Sequence, residues 1–148
     1  MAEKTNVMRI LDKVKANYKS HSYADSDAIS GLEVAEALSQ DPRRVFKTLV
    51  TVGKSKKYYV FLVPVAADLD LKKAAENVNE KAAEMLKAKD LLPLTGYVHG
   101  GCSPIGMKKS FKTVIDASAA DFDSIIFSAG KIGYQVELSL GELQKALK

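Results

Sequence analysis

Two runs of β-branched and aromatic residues, VFKTLVTV at 45–52 and YYVFLVPV at 58–65, restrict this chain more than any other feature. Only a short connection beginning Gly53-Lys-Ser-Lys56 separates them, so they predict the two strands of a hairpin at the centre of a sheet. Everything else must be arranged around that hairpin. Val7, Ile10, Leu11 and Val14 follow helical spacing, with Thr5 or Asn6 available as cap, and Ser30-Gly-Leu-Glu33 spells a capping box that opens a second helix to about Ser39. Asp70 can cap a helix from Leu71, whereas KAAEML fits strand or helix equally. Further strands are predicted at YKSHSY, TGYVHG, KTVIDA, SIIFSA and GYQVELS, and Ser139-Leu-Gly-Glu142 opens a terminal helix. Strands without regularly alternating helices, and helices at both ends, predict an α+β fold with a mixed, mostly antiparallel sheet.

The chain must hold together by packing. Its one cysteine, Cys102, excludes an internal disulfide, and two distant histidines give no spaced zinc ligand set. The 148 residues suit one domain, 1–148, and 47% hydrophobic against 27% charged residues is a soluble composition. No apolar run reaches the roughly 20 residues a membrane span requires, and the N-terminal stretch MAEKTNVMRILDKVK alternates charged and apolar residues unlike a secretory signal. A cytoplasmic location is therefore expected. The net charge of +4 suits a polyanionic partner without demanding one.

Lys47 is an oddly placed cation, because strand alternation puts it on the face of Val45 and Leu49. Such a lysine either runs its stem out to water or approaches a cleft holding an anionic or carbonyl group. The segment from Gly100 to Gly106 holds three glycines and Pro104, and can aim several N–H groups at one oxygen, or be an ordinary turn. His99 and Cys102 lack a third orienting group, and Ser103 has no identifiable histidine and acid, so neither makes a persuasive nucleophile. Lysines 54, 56 and 57 in the hairpin and 108, 109 and 112 after the glycine loop are candidates for phosphate contacts; solubilising surface lysines would look the same.

In order along the chain, HSY at 21–23, VFKTLV, VPVAADLDLKKAA at 63–75, TGYVHGGCSPIGMKK at 95–109, VIDASAADFDSIIFSAGKIG at 114–133 and VEL at 136–138 resemble the YbaK/EbsC family of Cys-tRNA(Pro) deacylases. That family belongs to the aminoacyl-tRNA editing superfamily, with the insertion domain of bacterial prolyl-tRNA synthetases. The resemblance implies a distorted mixed β-barrel surrounded by helices. It implies that Lys47 points into an editing pocket, that the loop from Gly100 through Gly101 and Ser103 to Pro104 borders it, and that Tyr23, Thr48 and Ser128 line it. Aminoacyl-tRNA, in particular Cys-tRNA(Pro), is the implied substrate, prolyl-tRNA synthetase an implied partner, and no cofactor or metal is implied. Where cysteine-editing members carry an aspartate, this chain has Gln135, which cannot supply a negative charge to a substrate ammonium. An alanine-editing relative and a non-catalytic module binding charged tRNA or a synthetase are the competing possibilities.

Overall fold

The computed structural model describes residues 4–147. The first half of the chain forms α1 (Asn6–Lys13), β1 (Lys19–Ser22), α2 (Gly31–Ala37), β2 (Phe46–Gly53), β3 (Tyr58–Pro64) and α3 (Leu71–Asn77). The second half forms β4 (Ala83–Met85), α4 (Ala88–Thr95), β5 (Lys112–Ile115), β6 (Ile125–Ser128), β7 (Tyr134–Leu138) and α5 (Leu140–Ala146). Residues 1–3 of the N-terminal stretch and residue 148 lie outside the described residues.

Every α-helix but α4, whose N-cap Lys87 makes no side-chain bond, begins where its capping residue dictates. The Thr5 hydroxyl accepts from the Met8 N–H, Ser30 and Glu33 form the complete reciprocal box, Asp70 accepts from Lys72 and Lys73, and Ser139 accepts from Glu142. Each satisfies N–H groups that the first helical turn leaves without an intrahelical partner.

The hairpin is central, as expected. β2 and β3 pair antiparallel from Phe46↔Pro64 to Val52↔Tyr58, β5 lies parallel to β3, and β4 takes the far end of the other edge of β2. Both faces of this sheet are covered, which is why its strands read as nearly unbroken apolar runs. Phe46, Val50, Val60 and Leu62 enter the main core with Val7, Leu11, Phe127 and Val136. Tyr59, Phe61 and Val63 pack instead with Ala74 and Val78 in the region of α3. A fully buried side chain of this size contributes about 1.5–3 kcal/mol, so two covered faces hold the hairpin without a covalent staple.

The expected barrel does not close. The strands form two sheets, β1-β7-β6 and β4-β2-β3-β5, which meet edge to edge through an isolated parallel bridge between Val45 and Ile126. β4 already occupies the far end of the shared β2 edge, and β1, β5 and β6 are only four residues long, too short to seal a circuit. The architecture is mixed α+β, with four antiparallel strand pairs and one parallel pair among the described residues.

Two local expectations also change. KAAEML contains strand β4 at Ala83–Met85, and the residues after it form α4 with Pro93 inside, which accounts for the broken periodicity. TGYVHG is no strand: Gly96, at φ 87°, ends α4 in the left-handed conformation that glycine adopts without steric cost. The chain then loops back, with Tyr97 and Ile105 both buried and joined by a hydrogen bond from the tyrosine hydroxyl to the Ile105 carbonyl.

Candidate functional site

The bridge between the sheets decides which polar residues come together. In β7, Gln135 stands opposite His21 of β1 on one side and Ser128 of β6 on the other. Two residues beyond the Val45–Ile126 bridge, each strand carries its next side chain on the same face, namely Lys47 and Ser128. His21, Gln135, Ser128 and Lys47 therefore form one row across four strands. It lies on the face where Val45 and Ile126 pack against Ala35 of α2.

Lys47 is half-buried, opposite Val63, and has no hydrogen-bond or ion-pair partner among the described residues. A cation so placed keeps its charge available to a ligand, since no carboxylate neutralises it. Thr48, by contrast, pairs with Leu62 and lies on the opposite face from Lys47, that of Phe46 and Val50, with its Oγ1 buried and unpartnered. Tyr23 follows β1, and its N–H donates to the Gly133 carbonyl at 2.7 Å. Residues 24–30 then run from that β7 end to Gly31, which sits so close to Val65 that a Cβ there would lie 2.5 Å from it.

The glycine loop meets the row through the β6–β7 turn. Gly100 has φ 88°, and a Cβ on Gly101 would lie 3.2 Å from the Ile132 nitrogen. Gly101 donates its own N–H to the Val98 carbonyl at 3.0 Å, so the donors left without a protein partner are those of Gly100, Cys102 and Ser103. Ser103 is fully buried and its Oγ accepts from the Ile105 N–H, while Pro104 is also buried; both shape the loop from within. Burial pushes the Cys102 thiol up to about 12, which leaves almost no thiolate at neutral pH. Cys102→Ser is accordingly expected to keep deacylation within about 2-fold of wild type while costing about 1 kcal/mol for a hydroxyl in an apolar site, checked by turnover and thermal unfolding of one preparation.

Lysines 54, 56 and 57 are exposed at the β2–β3 turn, and Lys112 stands opposite Tyr59. The fold thus brings Lys112 to the hairpin lysines, whereas the Lys108 side chain lies along Gly96 and Lys109 is exposed beside it. At ~3.3 Å per residue, the hairpin lysines lie roughly 20 Å along β2 from Lys47.

One cluster had no assigned role in the sequence. Glu137, one step along β7 from the row, accepts from Ser124 Oγ at 2.5 Å, His21 Nε2 at 2.8 Å and Arg44 Nη2 at 2.9 Å. Burial works to raise its carboxyl, but the Ser124 and His21 hydrogen bonds and the Arg44 charge outweigh it and hold the group below the usual glutamate value. Its neighbours come from residues 21, 44 and 124, separations that no local pattern reveals. Two open clefts of about 470 Å³ each flank this region, one lined by Lys4, Met8 and Tyr18, the other by Tyr18, Ser124 and Glu137. Lys47, Gln135 and the glycine loop line neither.

Residues 27–146 match the family described as the aminoacyl-tRNA editing domain. The chain belongs to that family. A protein of Enterococcus faecalis provisionally named Cys-tRNA(Pro)/Cys-tRNA(Cys) deacylase EbsC is 48% identical over 138 residues, covering 93% of this chain and 84% of the relative. Among solved structures, the hypothetical protein APE2540 superposes with a TM-score of 0.86 at 19% identity, covering 96% of this chain and 93% of that one. A crystal structure provisionally described as a trans-editing enzyme for prolyl tRNA synthetase gives 0.83 at 21% identity, covering 98% of this chain and 94% of that one. At those identities the two structures speak for the editing-domain fold. Among the described residues no helix is long and apolar enough to cross a membrane, and no group of three or more His, Cys, Asp or Glu is placed to hold a metal ion.

Proposed function

We propose that this editing-family chain is a free-standing deacylase that clears mischarged Cys-tRNA(Pro) in the cytoplasm, with residues 1–148 acting as one editing domain. The observation that carries the proposal is the unpaired, half-buried Lys47 in a row with Ser128 and Gln135, two strands of which are joined by the turn on which the glycine loop packs. The 48% identity to the EbsC protein supports it.

An aminoacyl ester is already activated, so the protein has to orient it and stabilise the oxygen that becomes negative during attack. Lys47 supplies the charge, and the N–H groups of the exposed Gly100 and of Cys102 supply donors to that oxygen, while the buried Ser103 holds the loop in shape. The nucleophile is the substrate's own sulfur: its S–C bond to the carbonyl forms, the carbonyl–ribose C–O bond breaks, and the thiol proton ends on the released ribose hydroxyl. The products are a cyclic thiolactone and free tRNA. Intramolecular attack in a held geometry reaches effective molarities of ~10⁵ M or more, and the unreactive Cys102 is consistent with a protein that supplies no thiol.

Release from Cys-tRNA(Pro), Cys-tRNA(Cys), Ala-tRNA(Pro) and Pro-tRNA(Pro) tests the proposal. Cysteine release with thiolactone trapping is the expected result. Preferred alanine release would assign the pocket to alanine, and tRNA binding without release above background would make the chain a binding module. Delivery by prolyl-tRNA synthetase belongs to the same proposal and predicts faster release when that synthetase is added.

The lysines would track the phosphate backbone leading away from the pocket. Replacing Lys108, Lys109 and Lys112 with glutamine is expected to weaken tRNA binding and to reduce the slope of log K against log salt by about 2, since each phosphate contact contributes roughly 0.7–0.9. An unchanged slope would remove these three from the interface. The same substitutions at Lys54, Lys56 and Lys57, the group that Lys112 joins in the fold, show how much of the contact lies at the hairpin end.

A further inference from the structure

Gln135 occupies the position where the family resemblance calls for a carboxylate, and its neighbour determines which end of the amide a ligand meets. Gln135 is only 5% exposed, and its Oε1 accepts from Gln40 Nε2 at 2.9 Å. With that oxygen engaged, the Gln135 Nε2 is the end left without a protein partner. Gln40, just beyond α2, holds its own Oε1 buried and without a donor. A buried amide oxygen with an unmet hydrogen bond is costly, so the Gln40 Oε1 favours a ligand that meets it, and the Gln135 Nε2 stands beside it with its donors uncommitted. Two strand spacings, roughly 10 Å, separate Gln135 from Lys47, a span that takes a small aminoacyl ester with its carbonyl at the lysine end and its side chain at the glutamine end.

We infer that Gln40 is a specificity-determining residue: it fixes the Gln135 amide so that Nε2 donates to the substrate sulfur, while its own Oε1 accepts from the substrate ammonium. An aspartate at 135 would repel a thiolate. The amide donor stabilises it by a charge-assisted hydrogen bond, and the acceptor for the ammonium passes to Gln40. The pair thus offers a donor and an acceptor with no net charge, a combination that distinguishes a side chain ending in sulfur from one ending in a methyl group.

The inference rests on the deacylase reading, and the experiment separates the two. Gln40→Glu keeps an acceptor but captures Gln135 Nε2, turning the amide around. Gln135→Leu removes the donor at similar volume. Single-turnover release from Cys-tRNA(Pro) and Ala-tRNA(Pro) is measured for wild type and both variants, beside thermal unfolding. Each variant is expected to lose about 10- to 100-fold in cysteine release, the range of one hydrogen bond to a charged group, with alanine release changed by less than about 3-fold. A cysteine-to-alanine ratio equal to wild type, or both rates falling together with stability, overturns the inference. Wild-type protein that releases neither amino acid overturns the deacylase reading itself.

Discussion

Lys47→Ala is expected to lower deacylation by about 10²–10³-fold while leaving thermal stability close to wild type. The rate loss is that of one well-placed electrostatic contact to a developing oxyanion. The small stability change follows from the surroundings: Lys47 is half-buried, makes no ion pair among the described residues, and its removal orphans no carboxylate. Lys47→Met separates charge from packing, because it retains most of the stem against Val63 and should lose the same activity. Single-turnover release beside thermal unfolding decides the matter. Near-normal release by either variant would mean that the ammonium only reaches for water.

Glu137→Gln is expected to cost about 2 kcal/mol of stability near neutral pH and to flatten the acid limb of the stability curve. The glutamate side chain is 15% exposed, and its loss leaves the Arg44 guanidinium without its carboxylate. Breaking a fully buried pair costs about 3–5 kcal/mol, and the partial exposure of Arg44 and His21 reduces that here. The folded protein holds the Glu137 carboxyl below its ordinary value of 4.5, so the unfolded chain takes up the proton first as pH falls. The stabilisation is complete above that ordinary value and disappears as pH drops through the lower, folded one. Denaturant unfolding at a series of pH values from neutral into the acid range should show wild type losing its advantage over the variant across that window. Parallel curves would mean that Glu137 holds no pH-linked stability. The adjacent row containing Gln135 should also shift, so a loss of cysteine release in this variant is expected to accompany the destabilisation.

Local signals determined much of the architecture. Capping chemistry at Thr5, Ser30, Asp70 and Ser139 acts over three or four residues, so it is written contiguously and predicts where helices start. The two apolar runs of the hairpin likewise declare strands, and alternation alone puts Lys47 with Val45 and Leu49, the side on which the clusters around α2 and α3 form. Where local patterns conflict, the reading failed. The segment TGYVHG has the aromatic and hydroxyl residues of a strand, but the left-handed Gly96 and the burial of Tyr97 under the loop take precedence. The resemblance carried Lys47, Ser128 and Gln135 as separate pocket positions, and pairing in β7 together with the Val45–Ile126 bridge is what sets them in one row. An open pair of sheets instead of a barrel, the Glu137 cluster and the Gln40–Gln135 contact depend on strand order and on residues 80 to 116 positions apart, which no periodicity encodes. The sequence by itself determined most of the elements and their buried faces, because caps and alternation are short-range; only the tertiary structure decided the segment from 81 to 100 and which polar side chains meet, because that follows from packing and from which strand edges remain free to pair.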